Sequence, residues 1–436
     1  MQTTICGSAP LRGKVSVPPD KAICHRAVLA AALAEGRTRV HPWPDAEDCK
    51  RTLEVVKGLG IVSERSDGAV VLTGAGRTGF QAPLADLACG ESGTTLRLAA
   101  GVLASQPFRS RLTALPSLAR RPMQRIVTPL VQMGAAIEGA HDAGRQGLIP
   151  PLTITGRRPL RAIRFQPPVA SAQVKSAVLF AGLAADGPTT VSEPIATRDH
   201  TERMLSAFGA QIDTRGREVT VRPGSLVSPG EAFIPGDISS AAFFIVAGLI
   251  VPGSQVELMD VGLNPSRSGF LSVLARMGAV IDSHVEKKDG EPCGRIRVSA
   301  QQLTPVEILP QDVPAIIDEL PILMVAAAYA SGVSTFRGLA ELRVKVTDRI
   351  ASMVAGLRAL GTMITEPEPD SVRITGGAAR GGAVNSANDH RTAMSLAVAA
   401  LGAQGRTVIE GSECVRKSYP DFFTHLSQVA GSGAVE

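Results

Sequence analysis

Six segments of the chain share one pattern, and that internal repeat constrains the fold more than any single motif. Each opens on a polar or Pro/Gly-containing lead-in and continues as an Ala-rich apolar helix, usually ending near Gly. They are PPDKAICHRAVLAAALAEG from Pro18, ACGESGTTLRLAAGVLA from Ala88, PVASAQVKSAVLFAGLAADG from Pro168, IPGDISSAAFFIVAGLIVPG from Ile234, DVPAIIDELPILMVAAAYASG from Asp312 and NSANDHRTAMSLAVAALGAQG from Asn385. Their starts are separated by 70, 80, 66, 78 and 73 residues. A second element recurs inside the first five units: LEVVKGLGIVS, IVTPLVQMGAAIE, RMLSAFGAQIDT, FLSVLARMGAVID and MVAGLRALGTMIT. The Gly near the end of each is a helix C-cap signal, and the alternation after it predicts a strand. Runs such as VVLTG, PLTITG, EVTVRPG, RIRVSA and SVRITGG predict further strands closed by turn residues.

Each unit thus supplies two helices and several short strands, an α/β mixture. The period is too long for the usual solenoids, so compact domains are expected. Six units divide as three and three. The fourth, IPGDISSAAFF, restarts the pattern of the first and sets a boundary just before Ile234. A length of 436 residues agrees with two or three domains. Aromatics are few (Trp43, Tyr329, Tyr419 and 12 Phe), so the cores must be built from Ala, Val, Leu and Ile. That scarcity, with a net charge of only +5, argues against a nucleic-acid surface. Cys6, Cys24, Cys49, Cys89, Cys293 and Cys414 form no CxxC pair and have no zinc spacing, which predicts reduced thiols of a cytosolic protein. The N-terminus has no apolar run of signal-peptide length. Ala241–Val251 is too short to span a bilayer and predicts a buried core helix.

Charged residues gather at the lead-ins. Lys21, His25 and Arg26 open the first helix, and Arg97 follows SGTT in the second. Ser171, Gln173 and Lys175 open the third; Asp318 and Glu319 sit in the fifth, and Asp389, His390 and Arg391 in the sixth. Arg120, Arg121, Arg198, Lys345, Arg349 and Lys417 lie in connecting segments. Helix starts carry unpaired N–H groups and partial positive charge, which suit phosphate and carboxylate. Singly, each residue has a plain structural use. Lys21 is a solvated helix-end lysine, and ESGTT (Glu91–Thr95) is a turn and cap. Asp45 and Asp48 form an N-cap region, Lys345 and Arg349 share a solvated helix face, and His200 is a structural hydrogen-bonding residue. Their recurrence at matching places in a six-fold repeat is what points to one cleft for an anionic substrate.

The motifs DKAICHRA, CGESGTTLR, SLARRPM, ASAQVKSA, TRDHTERM, PGDISSAAF, IDELP, ELRVKVTDRI, NDHRTAM and VRKSYPDFF, in this order from Pro18 to Phe423, resemble the EPSP synthase (5-enolpyruvylshikimate-3-phosphate synthase) family of enolpyruvyl transferases. The resemblance implies two globular α/β domains, each of three βαβαββ-type repeats, in an inside-out α/β barrel arrangement. Residues 18–234 would form the shikimate 3-phosphate side, residues 1–17 plus 235–436 the second domain, with the active site in the cleft between them. It also implies enolpyruvyl transfer from phosphoenolpyruvate (PEP) to shikimate 3-phosphate in the cytoplasm. The two small molecules would be the only partners of a monomer, with no metal, no organic cofactor, no nucleic acid and no membrane.

Roles carry over residue by residue. Lys21, Ala22, Arg26, Ser171, Ala172, Gln173, Arg198, Asp318 and Lys345 would meet shikimate 3-phosphate. Lys21, Gly93, Arg121, Gln173, Arg349, Arg391 and Lys417 would meet PEP, with Thr94, Arg97 and His390 close by. Asp318, Lys21, Lys345 and His390 would be catalytic, Asp318 as base on the 5-hydroxyl. Three positions depart from the family pattern: Ala22 where Ser is usual, Glu91 where Asn is common, and Val346 where the family has a Glu implicated in proton transfer at the PEP methylene. Valine cannot carry a proton. The expectation is therefore a working but altered enzyme, against a diverged or catalytically silent binder of a shikimate-like acid.

Overall fold

The structure, a computed structural model, describes residues 1–7, 10–141, 147–287, 290–345 and 347–436. The chain divides into two compact units. The N-terminal unit is Pro19–Ile234 with Asp289–Glu291; the C-terminal unit is Met1–Pro18, Pro235–Lys288 and Pro292–Glu436.

Among the described residues each unit holds three pairs of helices of eight residues or more. In the N-terminal unit these are α1 (Lys21–Leu33) and α2 (Glu47–Gly58), α3 (Gly93–Ala104) and α4 (Gln124–Gln132), and α5 (Ala172–Gly182) and α6 (His200–Ala207). In the C-terminal unit they are α7 (Ile238–Ile250) and α8 (Gly269–Arg276), α9 (Leu320–Ala328) and α10 (Arg349–Ala359), and α11 (His390–Gly402) and α12 (Phe422–Ala430). The odd-numbered helices are the six Ala-rich segments of the repeat. They form the middle of each core: every residue of α7 and α9 is buried, as is α1 from Ile23 onward. A helix apolar on all faces can only be stable when packed on all sides. Small residues make that packing close. A Cβ at Gly101 of α3 would fall 2.2 Å from the carbonyl oxygen of Ala177 in α5.

The even-numbered helices end as the glycine signal predicts. Gly60, Gly134, Gly209, Gly278 and Gly361 all have positive φ, two residues beyond the helix end. At each, the next residue's N–H returns to a carbonyl five residues back: Ile61 to Val56, Ala135 to Leu130, Ala210 to Leu205, Ala279 to Leu274 and Thr362 to Leu357. This closure stops the helix and turns the chain into a strand. The sixth unit also has its second helix, α12, although the helix-turn-strand signature of the first five units is not repeated there.

The sheets follow one plan, a parallel pair extended by antiparallel strands. Thr189–Ser192 runs parallel to Arg164–Phe165 and antiparallel to Glu218–Val221, which pairs with Ile212–Arg215. Arg109–Thr113 lies likewise between Leu87–Ala88 and Leu148–Thr155, with Ala136–His141 outside. Glu307–Ile308, Val333–Phe336, Val372–Thr375 and Met363–Thr365 repeat this order. The first sheet of each unit takes its parallel strand from a distant part of the chain. Ala34–His41 pairs with Leu226–Val227 and Glu231–Phe233, and Gln255–Gly262 with Arg12–Ser16. The last sheet pairs Arg406–Glu410 with Ala383–Asn385 and, antiparallel, with the N-terminal Gln2–Cys6.

Candidate active site

Within each unit, polar side chains tie together the starts of the three odd-numbered helices. In the N-terminal unit the caps are Asp20, Ser92 and Ser171, whose side chains accept from the N–H groups of Ala22 and Ile23, of Thr95, and of Val174. Lys21, the first residue of α1, places Nζ 3.0 Å from Asp48 Oδ2. Gln173, at the start of α5, accepts from Arg97 Nη1 at 2.9 Å and donates to Thr94 Oγ1 at 2.9 Å. One side chain thus joins α3 to α5. Burial pushes the Arg97 guanidinium down to about 10, with Arg121 and Arg125 adding like charge. Arg26 is buried, and three of its donors are taken: by Thr201 Oγ1 at 2.7 Å, the Ala22 carbonyl at 2.7 Å and Ser176 Oγ at 2.8 Å. Its burial lowers it to about 10, opposed first by Glu202.

Beneath this layer lies a second polar one. Lys175 is buried between Glu193 at 2.8 Å and Glu202 at 2.6 Å. Burial pushes Glu202 up against the pull of Lys175. Lys175 is therefore an internal ion-pair partner. His200 Nδ1 lies 2.7 Å from Glu291, the structural hydrogen bond expected of it.

In the C-terminal unit Asp237 caps α7 and Asp389 caps α11. The fifth repeat segment breaks into a turn of helix at Val313–Ile316 and α9, whose first turn contains Pro321. The break leaves Asp318 and Glu319 just ahead of α9. Arg391 Nη1 donates to the Asp318 carbonyl at 2.6 Å, and its Nη2 lies 3.9 Å from Asp318 Oδ1. Burial lowers the Arg391 guanidinium, but Asp318, Glu319 and Asp237 outweigh it and hold the group above its ordinary value. Arg349 Nε lies 2.9 Å from Asp389 Oδ2, both side chains buried. Glu319 is buried and accepts from Ser239 Oγ. Burial pushes it up, Asp318 adds to the shift and Arg267 opposes it.

Several single-residue expectations change. The N-cap of α2 is Ala46, without a side-chain bond; Asp45 pairs with Lys50 at 2.6 Å and Asp48 with Lys21. Lys345 and Arg349 do not share a helix face. Asp348 caps α10 immediately before Arg349, so Lys345 lies outside the helix, 3.7 Å from Glu341. Ala22, Ala172 and Arg198 are half-buried, as is His390 at the head of α11, whereas Gly93 is buried at the start of α3. Arg121, Glu91 and Lys417 are exposed. Val346 lies outside the described residues. The sequence reading missed Arg267, which is buried among Asp237, Ser239 and Asp318.

The profile of EPSP synthase (3-phosphoshikimate 1-carboxyvinyltransferase) matches residues 5–426. The chain belongs to the EPSP synthase family. It is 48% identical over 427 residues to a 3-phosphoshikimate 1-carboxyvinyltransferase of Syntrophomonas wolfei, covering 96% of this chain and 97% of the relative. It is 44% identical over 421 residues to the protein of the same name from Bacillus cytotoxicus, covering 96% and 98%. The EPSP synthase structure from Acinetobacter baumannii superposes with a TM-score of 0.92 at 39% identity, over 100% of this chain and 99% of that one. An enolpyruvyl transferase of Streptomyces tendae, at 20% identity and TM-score 0.77, shares the fold. The two-unit α/β architecture is thus that of the EPSP synthases. Among the described residues no helix is long and apolar enough to cross a membrane, and no group of three His, Cys, Asp or Glu side chains is arranged to hold a metal.

Proposed function

We propose that this protein transfers the enolpyruvyl group of PEP to the 5-hydroxyl of shikimate 3-phosphate and releases phosphate. The observation that carries this reading is the family match from residue 5 to 426, which spans every helix start described above. In the N-terminal unit Lys21, Ala22, Arg26, Ser171, Ala172, Gln173 and Arg198 bind shikimate 3-phosphate. In the C-terminal unit Asp318 and Lys345 serve the same substrate. Lys21, Gly93, Arg121, Gln173, Arg349, Arg391 and Lys417 bind PEP. The ion pairs of Arg349 and Arg391 support that role, because a guanidinium held in place by its own carboxylate neutralises an anion without reorganising. The protein works as a cytoplasmic monomer on these two small molecules.

The 5-hydroxyl oxygen adds to C2 of PEP while a proton goes to C3. That proton then leaves, the C2–O bond to phosphate breaks, and the double bond returns. Asp318 takes the hydroxyl proton, and Lys21, Lys345 and His390 are the remaining proton-bearing groups. Fixed cations stabilise the departing phosphate and hold two mutually repelling anions together. Val346 removes the acid that the family uses at the methylene, but positioning and electrostatics sustain turnover when one group is lost. Steady-state phosphate release with both substrates is the test. Release by the unaltered protein is expected. No release, with activity gained by Val346→Glu, would establish a binding-only protein instead.

A further inference from the structure

Arg267 lies in the loop two residues before α8, whereas Arg349 opens α10 and Arg391 lies in the first turn of α11. Its side chain is only 6% exposed. Nη2 donates to Ser239 Oγ at 2.7 Å and lies 3.2 Å from Asp237 Oδ1. Nη1 lies 3.9 Å from Asp318 Oδ2. One guanidinium therefore touches the start of α7 and the residue that leads into α9.

The charged groups around Asp318 come from every neighbouring element. Asp237 opens α7, Glu319 is next in the chain, Arg349 opens α10, and Asp389, His390 and Arg391 open α11. Asp237 and Asp318, both half-buried, and the buried Glu319 gather three carboxylates in one neighbourhood, where like charges favour protonation. Of the cations, Arg349 is bonded to Asp389, and Arg391 grips the Asp318 carbonyl from the α11 side. Arg267 alone among these three is in ion-pair contact with both Asp237 and Asp318. Its bonds to Ser239 and Asp237 fix the planar fork, so it cannot follow a displaced Asp318.

We propose that Arg267 is a positioning residue that keeps Asp318 ionised and oriented to take the substrate's hydroxyl proton. The inference rests on Asp318 being the base. A cation within about 4–6 Å favours a carboxylate by roughly one to three pKa units. Losing it should move the acid limb of the rate profile to higher pH.

The experiment is phosphate release against pH for the unaltered protein and for Arg267→Gln, Arg267→Lys, Asp237→Asn and Asp318→Asn. In Arg267→Gln the acid limb of kcat is expected about one unit higher, and Arg267→Lys should return it most of the way. Asp237→Asn keeps a good helix cap while removing a competing carboxylate, so its limb should move lower. This opposite displacement keeps the test decisive even if Arg267→Gln does not fold. Limbs unmoved in every variant that folds, with kcat merely scaled, overturn the inference. A limb that survives in Asp318→Asn overturns the assignment of the base itself.

Discussion

His25 offers a quantitative test of the N-terminal core. It lies in α1, 2% exposed, with Nδ1 2.6 Å from Thr52 Oγ1. Thr52 Oγ1 bonds Thr95 Oγ1 at 2.7 Å, and Thr95 donates to Ser92 Oγ at 2.8 Å. A buried hydroxyl chain thus links α1 and α2 to the cap of α3. Burial pushes the imidazole from 6.5 down to about 4, partly opposed by Asp48. The unfolded chain therefore takes up a proton near pH 6.5 and the folded one only near pH 4. Between these values the unfolded state binds more protons, so stability falls as pH falls through that window. At 1.36 kcal/mol per pH unit the full loss is about 3 kcal/mol, of which about 2 kcal/mol is gone by pH 5. The assay is urea unfolding at pH 7.5 and pH 5, followed by fluorescence of Trp43. That is the single tryptophan of the chain, and it lies in this unit. His25→Gln cannot titrate, and its fixed packing cost cancels when each protein is compared with itself. The unaltered protein should lose about 2 kcal/mol more than the variant between the two pH values. Equal losses would refute the argument.

Two further substitutions probe the same core. Gly101→Ala places a methyl 2.2 Å from the Ala177 carbonyl oxygen, so α3 and α5 must separate. A loss of about 1–3 kcal/mol is expected in urea unfolding, and an unchanged midpoint would show that the helices yield freely. Lys175→Met leaves Glu193 and Glu202 buried without the cation between them. Thermal and urea unfolding should report a loss of about 3–5 kcal/mol, and one below about 1 kcal/mol would mean that water or a proton already compensates those acids.

Much of this fold is readable from local chemistry. The five glycines after the even-numbered helices mark their ends because a left-handed residue is needed there, and each is followed by the strand that the alternation predicts. The Ala-rich segments read as buried because they carry no polar face. What local chemistry cannot show is strand exchange across the chain. Nothing in RGKVS (Arg12–Ser16) or in Leu226–Val227 names the distant strand that each joins, since two short strands carry too little pattern to specify a partner.

The polar clusters were legible where a charged residue sits at a helix start and obscure where it sits one turn deeper or in a loop. Lys21 and Lys175 look alike in sequence, each a lysine near the head of an Ala-rich helix. Lys21 is the first helical residue and reaches Asp48 at the half-buried surface. Lys175 is the fourth residue of α5, turned into the core, and both its partners, Glu193 and Glu202, lie outside the repeat segment that contains it. Arg267 errs the other way, since it looks like a loop cation yet is buried by three acids and a serine that the fold brings to it. Counting basic residues therefore overstates the charge offered to substrate. Lys175 is neutralised internally and Arg26 has most of its donors engaged, whereas Lys21, Arg97 and Arg391 are only partly buried. Lys175, enclosed by two carboxylates, adds nothing to anion binding directly, whereas Lys21 and Arg391 each keep part of their surface open beside the carboxylate they are paired with.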